Sequence, residues 1–195
     1  MIARRAFVAG SIATIALPGI AKPSAPPPPK IGAIRWPGPG YELHGYMAVP
    51  GNAHGPQPAV LVIPDDGEPD PFTLGLTDAL ARAGFVTCVP RGLAGIDEAT
   101  ATLRWLATNR YATGKVGAVG IGGGIGLVGE IAALPDAQVS CGVLFGGEAQ
   151  AGSVPLLSLP ALAASTDQAA YATAWDQAIA FLRDHLDLPD KRRKP

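Results

Sequence analysis

The chain has 195 residues, 48% of them hydrophobic, which suits one domain with a sizeable core. Its formal net charge is −1 and no basic face stands out, which argues against nucleic acid as a partner. The two cysteines and three histidines show no zinc-ligand spacing, so no metal site is expected from them, and nothing in the sequence identifies a cofactor.

The first 21 residues read as a targeting segment. Arg4-Arg5-Ala6-Phe7 is a twin-arginine pattern, and Val8 to Leu17 is an apolar run too short to span a bilayer. Gly19-Ile20-Ala21 then puts small residues where a signal peptidase reads. A twin-arginine-type signal peptide over 1–21, cleaved after Ala21, is expected. It implies a periplasmic or extracytoplasmic destination and no membrane association after its removal. Residues 22–30 read as a proline-rich linker, 31–188 as the folded domain, and 189–195 as a solvated basic tail containing Lys191-Arg192-Arg193-Lys194.

Within the domain, Ile31 to Pro50 alternates and breaks at Pro37-Gly38-Pro39-Gly40, which predicts a hairpin ending in the strand Leu43–Val49. Ala59 to Ile63 (AVLVI) predicts a strand buried on both faces. Thr73 to Ala83 has helical spacing and stops at Gly84. Phe85–Val89 is a further strand, and Ile96–Thr108 an amphipathic helix carrying Leu103, Trp105 and Leu106. A strand over Lys115–Ile121, a helix over Ile125–Leu134, a strand over Val139–Phe145 and a proline-broken strand over Val154–Ala163 follow. A terminal helix, Ala169–Leu186, puts Tyr171, Trp175, Ile179 and Leu182 on one face. Trp105, Trp175, Phe181 and Tyr171 read as core, whereas Trp36, beside prolines, reads as a candidate for exposure. Cys88 and Cys141 lie in apolar strand runs and read as buried free thiols.

Strands alternating with helices predict an α/β fold, with a mostly parallel sheet covered by helices on both faces. Ligands bind such sheets at the carboxyl ends of the strands. The loops Pro64–Pro71, Arg91–Gly95 and Gly122–Gly124 gather there. The last of these belongs to KVGAVGIGGGIGLVGEIAAL (115–134), which has the build of a nucleophile elbow, G-x-nucleophile-x-G. Gly120, Gly122 and Gly124 hold the spacing. The central position, which needs Ser or Cys, is Gly122, and glycine has no atom with which to attack.

An ordered set of segments resembles the dienelactone hydrolase family of α/β-hydrolases. These are GYMAVP (45–50), PAVLVIPDDG (58–67), DALARAGFVTCVP (78–90), VGAVGIGGGIG (116–126) and AAYATAWDQAIAFLRDHL (169–186). The resemblance implies a reduced α/β-hydrolase fold and hydrolysis of an ester or lactone. It also implies a Cys or Ser nucleophile, an Asp and a His. The nucleophile position is Gly122, and none of His44, His54 and His185 stands in the expected turn before the closing helix. Asp167 is the nearest candidate acid, two residues short of register. The family's last strand and His loop are therefore expected to be absent, and its longer stretch after the fourth strand to be trimmed. An oxyanion hole could persist, from the N–H of Gly123 and that of Asp66, the latter following Asp65 at the position of the family's loop acid.

Acyl transfer needs a nucleophile, a base and a group that orients the base. Their loss predicts a catalytically inactive or weak relative that binds a small-molecule ester, lactone or related ligand. An active hydrolase in which Asp65, Asp66 or Asp167 activates water is the alternative. Arg91 could anchor an anionic ligand or neutralise the acidic loop 64–70, whose four carboxylates read as a solvated turn rather than a calcium site. A nucleotide-binding reading rests on Gly124, Gly126 and Gly129 in G-x-G-x-x-G, with Glu148 near the place of a ribose-binding acid. The competing reading of these glycines is close packing of helix on sheet.

Overall fold

The computed structural model describes residues 27–148, 153–161 and 168–188. The expected signal segment, most of the linker, Asp167, the side chain of Tyr171 and the basic tail lie outside the described residues.

The alternating N-terminal segment forms the expected hairpin, β1 (Lys30–Pro37) and β2 (Glu42–Val49). The apolar runs become β3 (Gln57–Ile63), β4 (Val86–Arg91), β5 (Ala112–Ile121), β6 (Cys141–Phe145) and β7 (Leu156–Leu159). They join in one seven-stranded sheet of order β1-β2-β4-β3-β5-β6-β7. β2 runs antiparallel to both β1 and β4, and every other pairing is parallel. Four helices connect or close it: α1 (Pro71–Ala83), α2 (Ile96–Ala107), α3 (Gly124–Ala132) and α4 (Gln168–His185). Among the described residues no strand follows β7 before α4, and none of the helices is long and apolar enough to cross a membrane.

The parallel strands are apolar on both sides because both sides are covered. On one face Leu61, Cys88, Ala118 and Leu144 pack under Leu103 and Leu106 of α2 and Val128 and Ile131 of α3. On the other, Val60, Val89, Val119 and Val143 pack under Leu76 and Leu80 of α1 and Ala178 and Leu182 of α4. Burial at roughly 25 cal/mol per Å² of apolar surface makes these two layers the main source of cohesion. Arg183 Nη2 of α4 donates to Ala83 O at 2.8 Å, which ties the closing helix to the end of α1.

Trp36 corrects the expectation of exposure. It is 1% exposed, because the β1–β2 register sets it opposite Leu43 on the face that α2 covers. Its Nε1–H donates to Thr102 Oγ1 at 3.0 Å, and its ring stacks on Trp105 with centroids 5.1 Å apart. β5 begins at Ala112 rather than Lys115, and the proline-broken run yields only Leu156–Leu159.

Candidate functional site

The elbow forms where β5 ends. Ile121 pairs with Phe145, and the chain then turns at Gly122, whose φ of 53° lies in the left-handed region that favours glycine. α3 starts at once, with Ile125 N–H donating to Gly122 O at 3.2 Å. Helix and strand approach closely at two glycines. A Cβ on Gly120 would meet Ile125 Cα at 2.8 Å, and one on Gly124 would meet the Ile63 carbonyl carbon at 2.9 Å.

At Gly122 the space is taken by another residue. A Cβ there would come within 2.7 Å of Asp65 Oδ2 and closer still to Cγ and Oδ1. Asp65 Oδ1 also accepts a hydrogen bond from the backbone N–H of Gly123. Thus a carboxylate from the β3–α1 loop occupies the place of the missing nucleophile and the donor expected to form the oxyanion hole. Asp65 is exposed, as are Gly122 and Gly123, so the carboxylate faces solvent at the top of the sheet.

The three loops expected at the carboxyl ends do meet. Gly92 N–H donates to Gly67 O at 2.8 Å, and Arg91 Nε donates to Glu68 Oε2 at 2.9 Å. Arg91 therefore pairs with one carboxylate of the acidic loop. The four carboxylates of that loop are used separately. Asp65 holds the elbow, Glu68 holds Arg91, and Asp70 caps α1 by accepting from Thr73 N–H at 2.7 Å. Hydrogen bonding from the Thr73 side chain and then from its backbone N–H holds the Asp70 carboxyl below the usual carboxylate range. Asp66 is exposed and makes no hydrogen bond or ion pair among the described residues.

Sequence reasoning passed over Glu98. This carboxylate of α2 is 7% exposed and accepts from the Ala94 N–H. Gly95 at the N-cap followed by Glu three residues later has the spacing of a capping box, although the bond formed is to Ala94, one residue before the cap.

A cleft of about 320 Å³ lies over the elbow, lined by Asp65, Leu93, Gly126, Leu127 and Glu130 among others. No histidine serves it. His44 is exposed on β2, in register with Arg35 and Arg91, and His54 is exposed in the β2–β3 loop. His185 Nδ1 lies 2.9 Å from Phe181 O on its own helix, with its ring 4.1 Å from the Phe181 ring. Cys88 and Cys141 are buried free thiols in the two opposite core layers. Burial pushes Cys88 upward and Cys141 up to about 12, so neither supplies a thiolate near neutral pH.

The glycine fingerprint divides. Gly124 packs closely on β3, but Cβ atoms on Gly126 and Gly129 would meet nothing within 4 Å. Close packing therefore accounts for one of the three glycines, not for all. The third glycine of a dinucleotide fingerprint serves helix–strand packing, and Gly129 has no such role. Glu148 is exposed just beyond β6.

No known family's sequence profile matches the chain, and no curated protein matches it in sequence. Solved structures do match in shape. A dienelactone hydrolase from Anabaena variabilis aligns with TM-score 0.65 at 18% identity, covering 81% of this chain and 99% of that one. The dienelactone hydrolase-like promiscuous phosphotriesterase P91, from metagenomic libraries, aligns with TM-score 0.67 at 16% identity, covering 82% and 99%. A putative dienelactone hydrolase from Klebsiella pneumoniae aligns with TM-score 0.52 at 18% identity, covering 78% and 81%. The strand order and these likenesses define an α/β-hydrolase fold. Its shape is similar to that of the dienelactone hydrolase structures, the family that the ordered segments resemble.

Proposed function

We propose that this is a dienelactone hydrolase-like protein that has lost ester and lactone hydrolysis at ordinary enzymatic rates. In this reading it holds a small molecule of the ester, lactone or related class in the cleft over its elbow. The carrying observation is the Asp65 carboxylate, which fills the nucleophile's volume over Gly122 and takes the Gly123 N–H. A substrate carbonyl would have to displace an anion from the hole meant for its own developing oxyanion. No histidine contacts the elbow to take up a proton.

The alternative, an exposed Asp65 acting as a base toward water, is favoured by its position at the elbow. It is opposed by the same hydrogen bond, because the N–H that would stabilise the transition state is already engaged. Turnover of an aryl ester by wild type and by Asp65→Ala separates the two. An aryl phosphotriester is the second probe, since one structural neighbour is a phosphotriesterase. A rate no more than about 10³-fold above buffer fits a disabled site. A kcat near the enzymatic median of roughly 10 s⁻¹ overturns the inactive reading, and its loss in Asp65→Ala would assign the base.

The same proposal puts the protein outside the cytoplasm, on the strength of Arg4-Arg5 and the apolar run after them. Export of a reporter fused after residue 30 should stop when both arginines become lysine. Unchanged export would remove the twin-arginine route.

A further inference from the structure

The end of the sheet opposite the elbow carries a second concavity, and its chemistry differs from that of the first. It is a groove of about 480 Å³ between the hairpin β1–β2 and the turn that precedes β5. It adjoins the start of β5 at Tyr111, whereas the elbow follows that strand's far end at Ile121.

α2 meets β1 at Trp36, where the indole contacts Thr102 and Trp105, and no residue of α2 lines the groove. Toward Lys30 the core comes to the surface. Ile34, Met47, Val49 and Tyr111 pack against the buried layer yet stay half-exposed, and they form the floor. Gly32, in register with Met47, adds no side chain, and a Cβ there would meet nothing within 4 Å. That leaves open space above the apolar floor.

The charged residues lining the groove are Lys30 and Arg110, and no carboxylate lines it. Neither cation forms an ion pair among the described residues, although Arg35, Arg82, Arg91 and Lys115 each face a carboxylate. Arg110 is held in place. Its Nη2 donates to Tyr111 Oη at 2.7 Å, and its guanidinium lies 4.7 Å from the centroid of that ring. An ordered, unpaired guanidinium at the rim of an apolar floor complements an anionic head on an apolar body.

We propose that this groove binds a soluble amphipathic monocarboxylate, a free medium-chain fatty acid in kind. The carboxylate sits between Lys30 and Arg110, and the hydrocarbon lies over Gly32 along Ile34, Met47 and Val49. The volume falls within the range of small-molecule sites, about 300–1,000 Å³. A cationic amphiphile is repelled by both rim residues, and a polyanion without an apolar body leaves the floor wet. The site is independent of the elbow, so its occupancy does not depend on whether the protein hydrolyses esters.

The chain contains only two methionines, so the Met47 methyl is readily followed by ¹³C-methyl NMR in the full chain, with Met47→Leu as the assignment control. Titration with decanoate should move this signal to saturation. Octanoate, two CH₂ groups shorter, should bind roughly fifteenfold more weakly, since each buried CH₂ is worth about a fourfold change in affinity. Decanol should also bind roughly tenfold more weakly, and the preference for decanoate over decanol should vanish in Lys30→Gln/Arg110→Gln. That double variant should melt within a few degrees of wild type, since the contacts it removes, between the exposed Arg110 and Tyr111, are weak at the surface. A Met47 signal that ignores decanoate overturns the proposal. So does equal response to decanol in wild type, or a double variant that keeps its preference for the acid.

Discussion

Asp65 and Gly122 share one volume. The carboxylate of the first stands where a side chain on the second would have to be, and the Gly123 N–H holds it there. The two positions lie on different strand–helix connections, so each constrains what the other can be. Glycine at the elbow removes the nucleophile and also makes room for an acid that occupies the vacated hole.

The pair should therefore be energetically coupled. Gly122→Ser alone places an L-residue at a φ of 53° and drives its Cβ into Asp65. A loss of about 1–3 kcal/mol is expected from the backbone conformation, with the steric term added. Combined with Asp65→Ala, the steric part disappears. Urea denaturation of both single variants and the double should show a coupling of roughly 1 kcal/mol or more. Additive losses would mean that the carboxylate moves aside freely.

The glycines of α3 should separate by position. Gly126→Ala and Gly129→Ala put a methyl into open space on a helix and should each stabilise by about 0.5–1 kcal/mol. Gly120→Ala and Gly124→Ala push a methyl into the facing backbone and should each cost about 1–3 kcal/mol. Four thermal unfolding curves test the assignment, and stabilisation at Gly124 would show that α3 is free to lift from β3.

Asp70 makes the start of α1 sensitive to acid. Its carboxyl is held below its ordinary value by hydrogen bonding from the side chain and backbone of Thr73, so its contribution is present at neutral pH and above the unfolded value near 4. That contribution is lost as pH falls through the lower folded value. Asp70→Ala should cost about 1 kcal/mol at pH 7, and Asp70→Asn much less, because asparagine also caps. The Asn variant should lose less stability than wild type between pH 5 and pH 2.5. Parallel pH profiles for the two would show that the cap does not titrate with folding.

The thiols should report on unfolding alone. Cys88 and Cys141 are buried in opposite layers, and burial disfavours both thiolates. Ellman's reagent at pH 8 should find no reactive thiol in the native protein and two in denaturant. Prompt native labelling of either would contradict its place in the core.

Much of the architecture was legible beforehand. AVLVI, the hairpin break at 37–40 and the helical spacing after Asp70 are local patterns, and each produced the element it predicted. The bare elbow was legible as well, because a glycine triplet after an apolar strand reads within five residues. Trp36 was misjudged because adjacent prolines say nothing about what packs on the strand. Its burial depends on Thr102, 66 positions away.

The sequence by itself determined the order of strands and helices and the absence of a reactive atom at position 122, since periodicity and residue identity act over a few positions. Only the tertiary structure decided that Asp65 enters the gap at the elbow. The Asp65–Gly123 hydrogen bond spans 58 positions and forms only once β3 and β5 lie side by side in the sheet. The groove beside Lys30 and Arg110 likewise brings together residues of β1, β2 and the turn before β5, a packing outcome that no local pattern encodes.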